Sequence, residues 1–237
     1  MSNDIVTNLE HVRQRIAAAC RRANRSPEEI TLVAVTKTVA PERIRIAWEA
    51  GVRDFGENRV QEAAEKIPLL HDLAPRWHMI GHVQSNKAKP VVDLFAMVQS
   101  VDSAEIAERL NRRALVVGRT LSILLEMNVG QEASKFGFDV SPAEWDRTSA
   151  AIGSIVALPC LSVQGLMTVA PIATSPEQAR PYFRKLRLLR DRLRSLWPQV
   201  SWVHLSMGMS DDFEVAIEEG ATIVRLGRAI FGPRPVE

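Results

Sequence analysis

The chain has 237 residues, 46% of them apolar and 24% charged, with a formal net charge of +2. That length suits one α/β barrel, and a near-neutral balance gives no electrostatic case for nucleic acid. No apolar run approaches the roughly 20 residues that span a bilayer, so no membrane partner is expected.

The two cysteines, Cys20 and Cys160, form no metal-type or redox pair, which fits reduced thiols and a cytoplasmic setting. Residues 4–23 read as an amphipathic helix, with Ile5, Leu9, Val12, Ile16 and Ala19 three or four apart. Arg21, Arg22 and Arg25 follow as favourable charge at its C-terminal end.

The first strand is 32–37, a β-branched run that ends on Lys37. Pro41 opens the next helix. The second strand, 54–56, runs into Glu57-Asn58, and a helix covers about 60–70. The third strand, 77–81, leads into His82-Val83-Gln84-Ser85-Asn86-Lys87. The fourth is placed at 94–98 and the fifth at 121–128, with a helix over 103–114 between them. A long polar loop, 129–137, then precedes a helix starting near Ser141-Pro142. The sixth strand is 161–167. A helix over 176–196 follows, with Phe183, Leu186, Leu189, Leu193 and Leu196 on one stripe and an arginine-rich solvated face opposite. The seventh and eighth strands are 202–205 and 222–225.

Eight strands alternating with helices predict parallel βαβ units closed into a single (β/α)8 barrel over 1–237, with residues 1–25 as an extra N-terminal helix packing on it. A doubly wound open sheet is weaker, because no G-x-G-x-x-G follows the first strand. Barrel sites lie at the C-terminal strand ends. Lys37, Asn58, His82, Gln84, Asn86, Asn128, Met167, Thr168, Ser206 and Arg225 all fall at such ends.

Leu205-Ser206-Met207-Gly208-Met209-Ser210-Asp211 places two hydroxyls and a glycine before a helix, as a phosphate cradle requires. Arg225-Leu226-Gly227-Arg228 supplies a second glycine turn on the adjoining strand. A lysine facing a phosphate cradle points to pyridoxal phosphate, whose aldehyde a lysine amine captures. An arginine at the pyridine nitrogen cannot give up its proton, so that nitrogen stays unprotonated and the electron sink is weak. His78 and His82 are four apart, but the strand context argues against a shared metal. His204 reads as a core histidine, and Glu57 as a partner for a basic neighbour.

Taken together, Ala34-Val35-Thr36-Lys37, Phe55-Gly56-Glu57-Asn58, the 78–87 segment, Gly165-Leu166-Met167, the 205–210 segment and Val224-Arg225-Leu226-Gly227 resemble the pyridoxal phosphate homeostasis proteins. That family is similar to the N-terminal barrel of alanine racemases (fold type III). The resemblance implies that Lys37 carries the cofactor covalently as a Schiff base. It further implies that Ser206, Ser210, Gly227 and Arg228 hold the phosphate, Arg225 faces the pyridine nitrogen and Asn58 lies near the ring. Lys135 matches a lysine linked in the family to a secondary cofactor contact.

Thr36 stands where the family usually has serine, and the hydroxyl survives. Racemases add a β-rich domain that supplies a tyrosine base. This chain ends at Glu237, and its single tyrosine, Tyr182, falls in the arginine-rich helix. The resemblance therefore implies a cofactor buffer or carrier with no robust reaction of its own, serving pyridoxal phosphate-dependent apoenzymes as a monomer or weak dimer. The alternative is an amino-acid racemase or related enzyme.

Overall fold

The computed structural model describes residues 2–132 and 135–233. Residues 133 and 134 of the expected 129–137 loop lie outside the described residues.

Eight parallel strands close into a barrel in chain order: β1 (Thr31–Val35), β2 (Asp54–Glu57), β3 (Arg76–Met79), β4 (Met97–Val101), β5 (Leu121–Asn128), β7 (Leu161–Met167), β8 (His204–Ser206) and β9 (Ile223–Leu226). β9 pairs with β1 to shut the cylinder, Thr31 opposite Ile223 and Ala34 opposite Leu226. A two-residue strand that the sequence reading lacks, β6 (Phe138–Asp139), adds to β5 through Met127 and Asn128. Its brevity left no periodicity to read.

Four strand positions differ from the sequence reading. β3 ends at Met79 rather than at residue 81. β4 starts at Met97, because Leu94 ends the helix α4 (Ala88–Leu94). Polar Gln99 and Ser100 sit inside β4, fully buried, and break the apolar run that marked the expected strand. β8 starts at His204, because Trp202 turns through a positive φ of 43°. β1 ends at Val35, so Lys37 stands two residues past the strand.

Period-two strands divide the apolar residues into two cores. Inside the barrel, Val33, Leu124, Met167 and Ile223 form a small cluster. Outside it, the opposite strand faces pack under the helices in one continuous layer that includes Phe55, Trp77, Val98, Leu121 and Leu205.

The helix α1 (Ser2–Arg22) buries Ile5, Leu9, Val12, Ile16 and Ala19, the stripe its spacing predicts. It lies against α2 (Pro41–Glu49), α8 (Phe213–Glu218) and α9 (Arg228–Phe231). Asn8 donates to the Ile230 carbonyl at 3.0 Å, and Arg15 grips Glu214 with two 2.8 Å bonds. Arg25 donates to the carbonyls of Ile217 and Ala221, so the basic end of α1 is a clamp on α8.

The arginine face of α7 (Arg180–Leu196) lies at the surface, as expected, and several of its arginines pair within the chain. Arg180, Arg184 and Arg187 converge on Glu219, and Arg192 stacks on the Trp145 ring at 3.5 Å. Leu196, placed on the buried stripe by its spacing, is instead half exposed at the helix end. No helix among the described residues is long and apolar enough to cross a membrane.

Candidate functional site

The C-terminal ends of β1, β2, β7, β8 and β9 surround an open cleft of about 700 Å³. Six of the seven expected cofactor-binding residues line it: Lys37, Asn58, Ser210, Arg225, Gly227 and Arg228. Val35, Ile80, Val169 and Met209 add apolar walls that sequence reasoning missed. They follow from the strand-end register and carry no distinctive residue type.

The loop after β8 and the start of α9 are tied together, because Ser210 Oγ accepts from the Ala229 N–H at 3.2 Å. Arg228 reaches Asp211 at 2.5 Å on the exposed rim. The two segments named as a phosphate cradle thus form one wall. Ser206 stands one layer lower. It is fully buried, donates to Gln99 Oε1 at 2.6 Å and accepts from Arg225 at 2.6 Å. Arg225 also donates to the Thr168 carbonyl at 2.8 Å. Burial pushes the Arg225 guanidinium down to about 10, opposed by Glu126 and Asp212, so it remains a cation at neutral pH.

A buried ionic cluster supports the turn that carries Lys37. Thr36 Oγ donates to Glu57 Oε1 at 2.7 Å. Lys66, from α3 (Val60–Lys66), donates to the Thr36 carbonyl, to Glu57 and to Glu62, at 2.6, 3.0 and 2.5 Å. Glu62 also accepts the Thr38 N–H at 2.5 Å. Thr38 has a φ of 62°, a costly conformation for a β-branched residue. Glu62 and Lys66 therefore hold a strained turn beside the cleft. Burial raises the Glu57 carboxyl despite Thr36 and Lys66, and its Oε2 is buried with no partner among the described residues. The expectation that Glu57 pairs with a basic neighbour is met by Lys66.

Lys135 faces a neighbouring cleft with Glu126, Asn128 and Phe136, and Val169 is the wall shared by both clefts. Its ammonium sits 2.7 Å from Glu132. His78 and His82 are held apart. His78 bonds Asp54 inside the barrel, while His82 bonds Asp102 at 2.7 Å and stacks on Phe136 at 3.8 Å. Tyr182 packs beside the outer core, away from the cleft residues.

Burial, reinforced by Asp102 and opposed by Arg225, pushes the Glu126 carboxyl up to about 7. The folded chain therefore holds this proton more tightly than the unfolded chain. Its stability falls as pH rises from the ordinary glutamate range to about 7. Glu126→Gln is expected to stabilise the cofactor-free protein by roughly 1–3 kcal/mol above pH 7, with the gain gone by about pH 4. Urea unfolding across that range checks it. A gain that grows toward acid would be the wrong sign.

Residues 7–235 match the family described as alanine racemase, N-terminal domain. A pyridoxal phosphate homeostasis protein of Aquifex aeolicus is 44% identical over 226 residues, covering 95% of this chain and 96% of the relative. That of Escherichia coli K12 is 41% identical over 241 residues, covering 98% and 97%. PipY of Synechococcus elongatus, solved with PLP bound, superposes with a TM-score of 0.84 at 36% identity, covering 96% of this chain and 100% of PipY. With the closed barrel and the cleft at its mouth, these matches show that the chain belongs to the alanine racemase N-terminal domain family and, within it, to the pyridoxal phosphate homeostasis proteins.

Proposed function

We infer that the chain binds pyridoxal 5'-phosphate at the barrel mouth and serves intracellular homeostasis of that cofactor. The observation that carries this reading is the convergence of Lys37, Asn58, Ser210, Arg225, Gly227 and Arg228 on one cleft.

The residues present fit the group. Asn58 Oδ1 is buried with no partner among the described residues, so a ligand beside it has an acceptor to meet. A Cβ at Gly227 would meet only Val35, at an ordinary 3.5 Å. Packing alone thus does not demand glycine there, whereas close approach of an anion to the backbone does. When bound, pyridoxal phosphate supplies an aldehyde that condenses reversibly with a primary amine.

Lys37 provides that amine from the turn two residues past the end of β1. Ser210, the Gly227 backbone and the Arg228 segment hold the phosphate. Arg225 faces the pyridine nitrogen as a fixed cation that donates and cannot accept a proton from it. Ser206 acts through Arg225, to which its hydroxyl is bonded. Asn58 sits at the ring, and Lys135 is a secondary contact across Val169.

Cleft residues from the chain itself offer no tyrosine as an opposite-face base, which favours buffering and delivery to apoenzymes over racemisation. We place this work in the cytoplasm, by a monomer or weak dimer.

The test is uptake of pyridoxal phosphate followed by borohydride and peptide mapping. Added mass is expected on the peptide holding Lys37. Lys37→Ala is expected to bind the cofactor at least tenfold more weakly, by absorbance titration. A wild-type protein that takes up no cofactor, or that carries the mass elsewhere, overturns the reading.

A further inference from the structure

Arg225 is buried inside the barrel, and no carboxylate among the described residues forms an ion pair with it. A buried guanidinium without compensation is costly. Glu126 and Asp212 compensate part of it at a distance, and a chain of hydrogen bonds that crosses the barrel interior holds the guanidinium directly. Arg225 donates to Ser206 Oγ at 2.6 Å, and Ser206 donates to Gln99 Oε1 at 2.6 Å. The Gln99 amide lies 3.0 Å from His78 Nδ1, and His78 Nε2 lies 2.8 Å from Asp54 Oδ1. Arg76 closes the far end on Asp54 with bonds of 2.9 and 2.6 Å. The residues come from β9, β8, β4, β3 and β2, and the four between Arg225 and Arg76 are all buried.

The direction of every bond follows from its ends. A guanidinium only donates, so Ser206 must accept from Arg225 and pass its own proton to the Gln99 oxygen. That orients the amide, whose N–H₂ then faces His78 Nδ1 and requires it to be bare. Asp54 is an acceptor, since the His78 and Arg76 hydrogen bonds outweigh its burial and hold its carboxyl below the ordinary range. His78 therefore carries its proton on Nε2. Each donor finds one acceptor, and all dipoles run from the buried cation to a buried anion. With the amide in this orientation, a proton on His78 Nδ1 would face the Gln99 N–H₂ donor to donor and leave a bare Nε2 against the Asp54 carboxylate.

Building on the cofactor-binding reading above, we propose that Ser206, Gln99, His78 and Asp54 are positioning residues for Arg225. They form a one-way relay that fixes its guanidinium in the floor of the cleft, while Glu126 and Asp212 supply the nearest negative charge. Hydrogen bonds to a charged group, joined in a low-dielectric interior, are the setting in which such a relay is most effective. The relay also accounts for three residues with no other role at the cleft. Gln99, His78 and Asp54 do not line it.

The experiment has two arms. In the cofactor-free wild type, ¹⁵N NMR of the His78 ring is expected to show protonated Nε2 and bare Nδ1; the opposite tautomer overturns the relay. In the second arm, Gln99→Met and Ser206→Ala are titrated with pyridoxal phosphate beside wild type and Ser206→Thr. The first two are expected to bind about tenfold or more weakly and to move the absorption maximum of the bound cofactor. Ser206→Thr keeps the hydroxyl and is expected to retain both. Asp54→Asn, remote from the cleft and close in shape, is expected to move the maximum in the same direction. It decides the matter if Gln99→Met does not fold. Wild-type affinity and spectrum in a folded Gln99→Met or Asp54→Asn protein overturn the relay and leave cofactor binding standing. A wild type that binds no pyridoxal phosphate removes the binding reading itself, and with it the role assigned to Arg225.

Discussion

Lys66→Met is expected to destabilise the protein by about 3–5 kcal/mol, the range for breaking a buried ion pair by removing one partner. Methionine matches the length of lysine but donates nothing. Glu57 is then left fully buried with neither oxygen facing a cation, and the Thr36 carbonyl and Glu62 each lose a donor. The loss is expected to be smaller in acid. Burial already raises the Glu57 carboxyl, and without Lys66 it rises further. A neutral Glu57 forms at lower pH, so the deficit relative to wild type grows as pH increases through that higher value. Glu57→Gln in the same chain is expected to restore part of the stability. Because Lys66 also anchors the 36–38 turn, cofactor capture by Lys37 is expected to fall with it. Urea unfolding at several pH values checks the result. A deficit below about 1 kcal/mol at neutral pH would show that the cluster contributes little.

Gly165→Ala is expected to be worse, at more than about 4 kcal/mol or outright failure to fold. Gly165 lies in β7 at a φ of 149°, and a Cβ there would stand 1.9 Å from the His204 carbonyl oxygen and under 3 Å from the His204 nitrogen. Those atoms belong to the β8 backbone and have no rotamer to change. The register confirms a bulge: Val163 pairs with Ile123 and Gly165 with Leu124, leaving Gln164 extra. Displacing β8 also displaces Ser206, two residues after His204. Soluble yield and melting temperature test this. A well-folded variant with wild-type stability would mean that β8 yields far more than its hydrogen bonds to β7 allow.

The alternation of strands and helices was legible because the strands carry short, mostly apolar runs and each helix keeps a polar side. Strand ends pointed to Lys37, Asn58 and Arg225, since a parallel barrel puts its functional groups at one end, but they pointed equally to His82, Gln84 and Asn128, which do not line the cleft; Gly227 came from the glycine turn after the last strand. The interior was not legible. Gln99 fell just past the expected fourth strand, and Ser206 looked like a phosphate ligand. Whether a polar strand residue faces inward depends on register with neighbours distant in sequence, and 107 positions separate Ser206 from Gln99. Lys66 gave no signal either. It sits at the end of α3 like any favourable C-terminal cation, and only tertiary packing turns it toward Glu57.

The pairing of β9 with β1 sets an order on synthesis. Lys37 leaves the ribosome early, but the strand that completes its surroundings is among the last made. Until then β1 presents an open edge and the growing chain has no closed mouth. Ser210, Arg225, Gly227 and Arg228 arrive together in the last stretch of the barrel. On the proposed site, a nascent chain therefore holds Lys37 before the residues that would seat the phosphate opposite it have been made. Competence to bind is withheld until translation has passed Arg228.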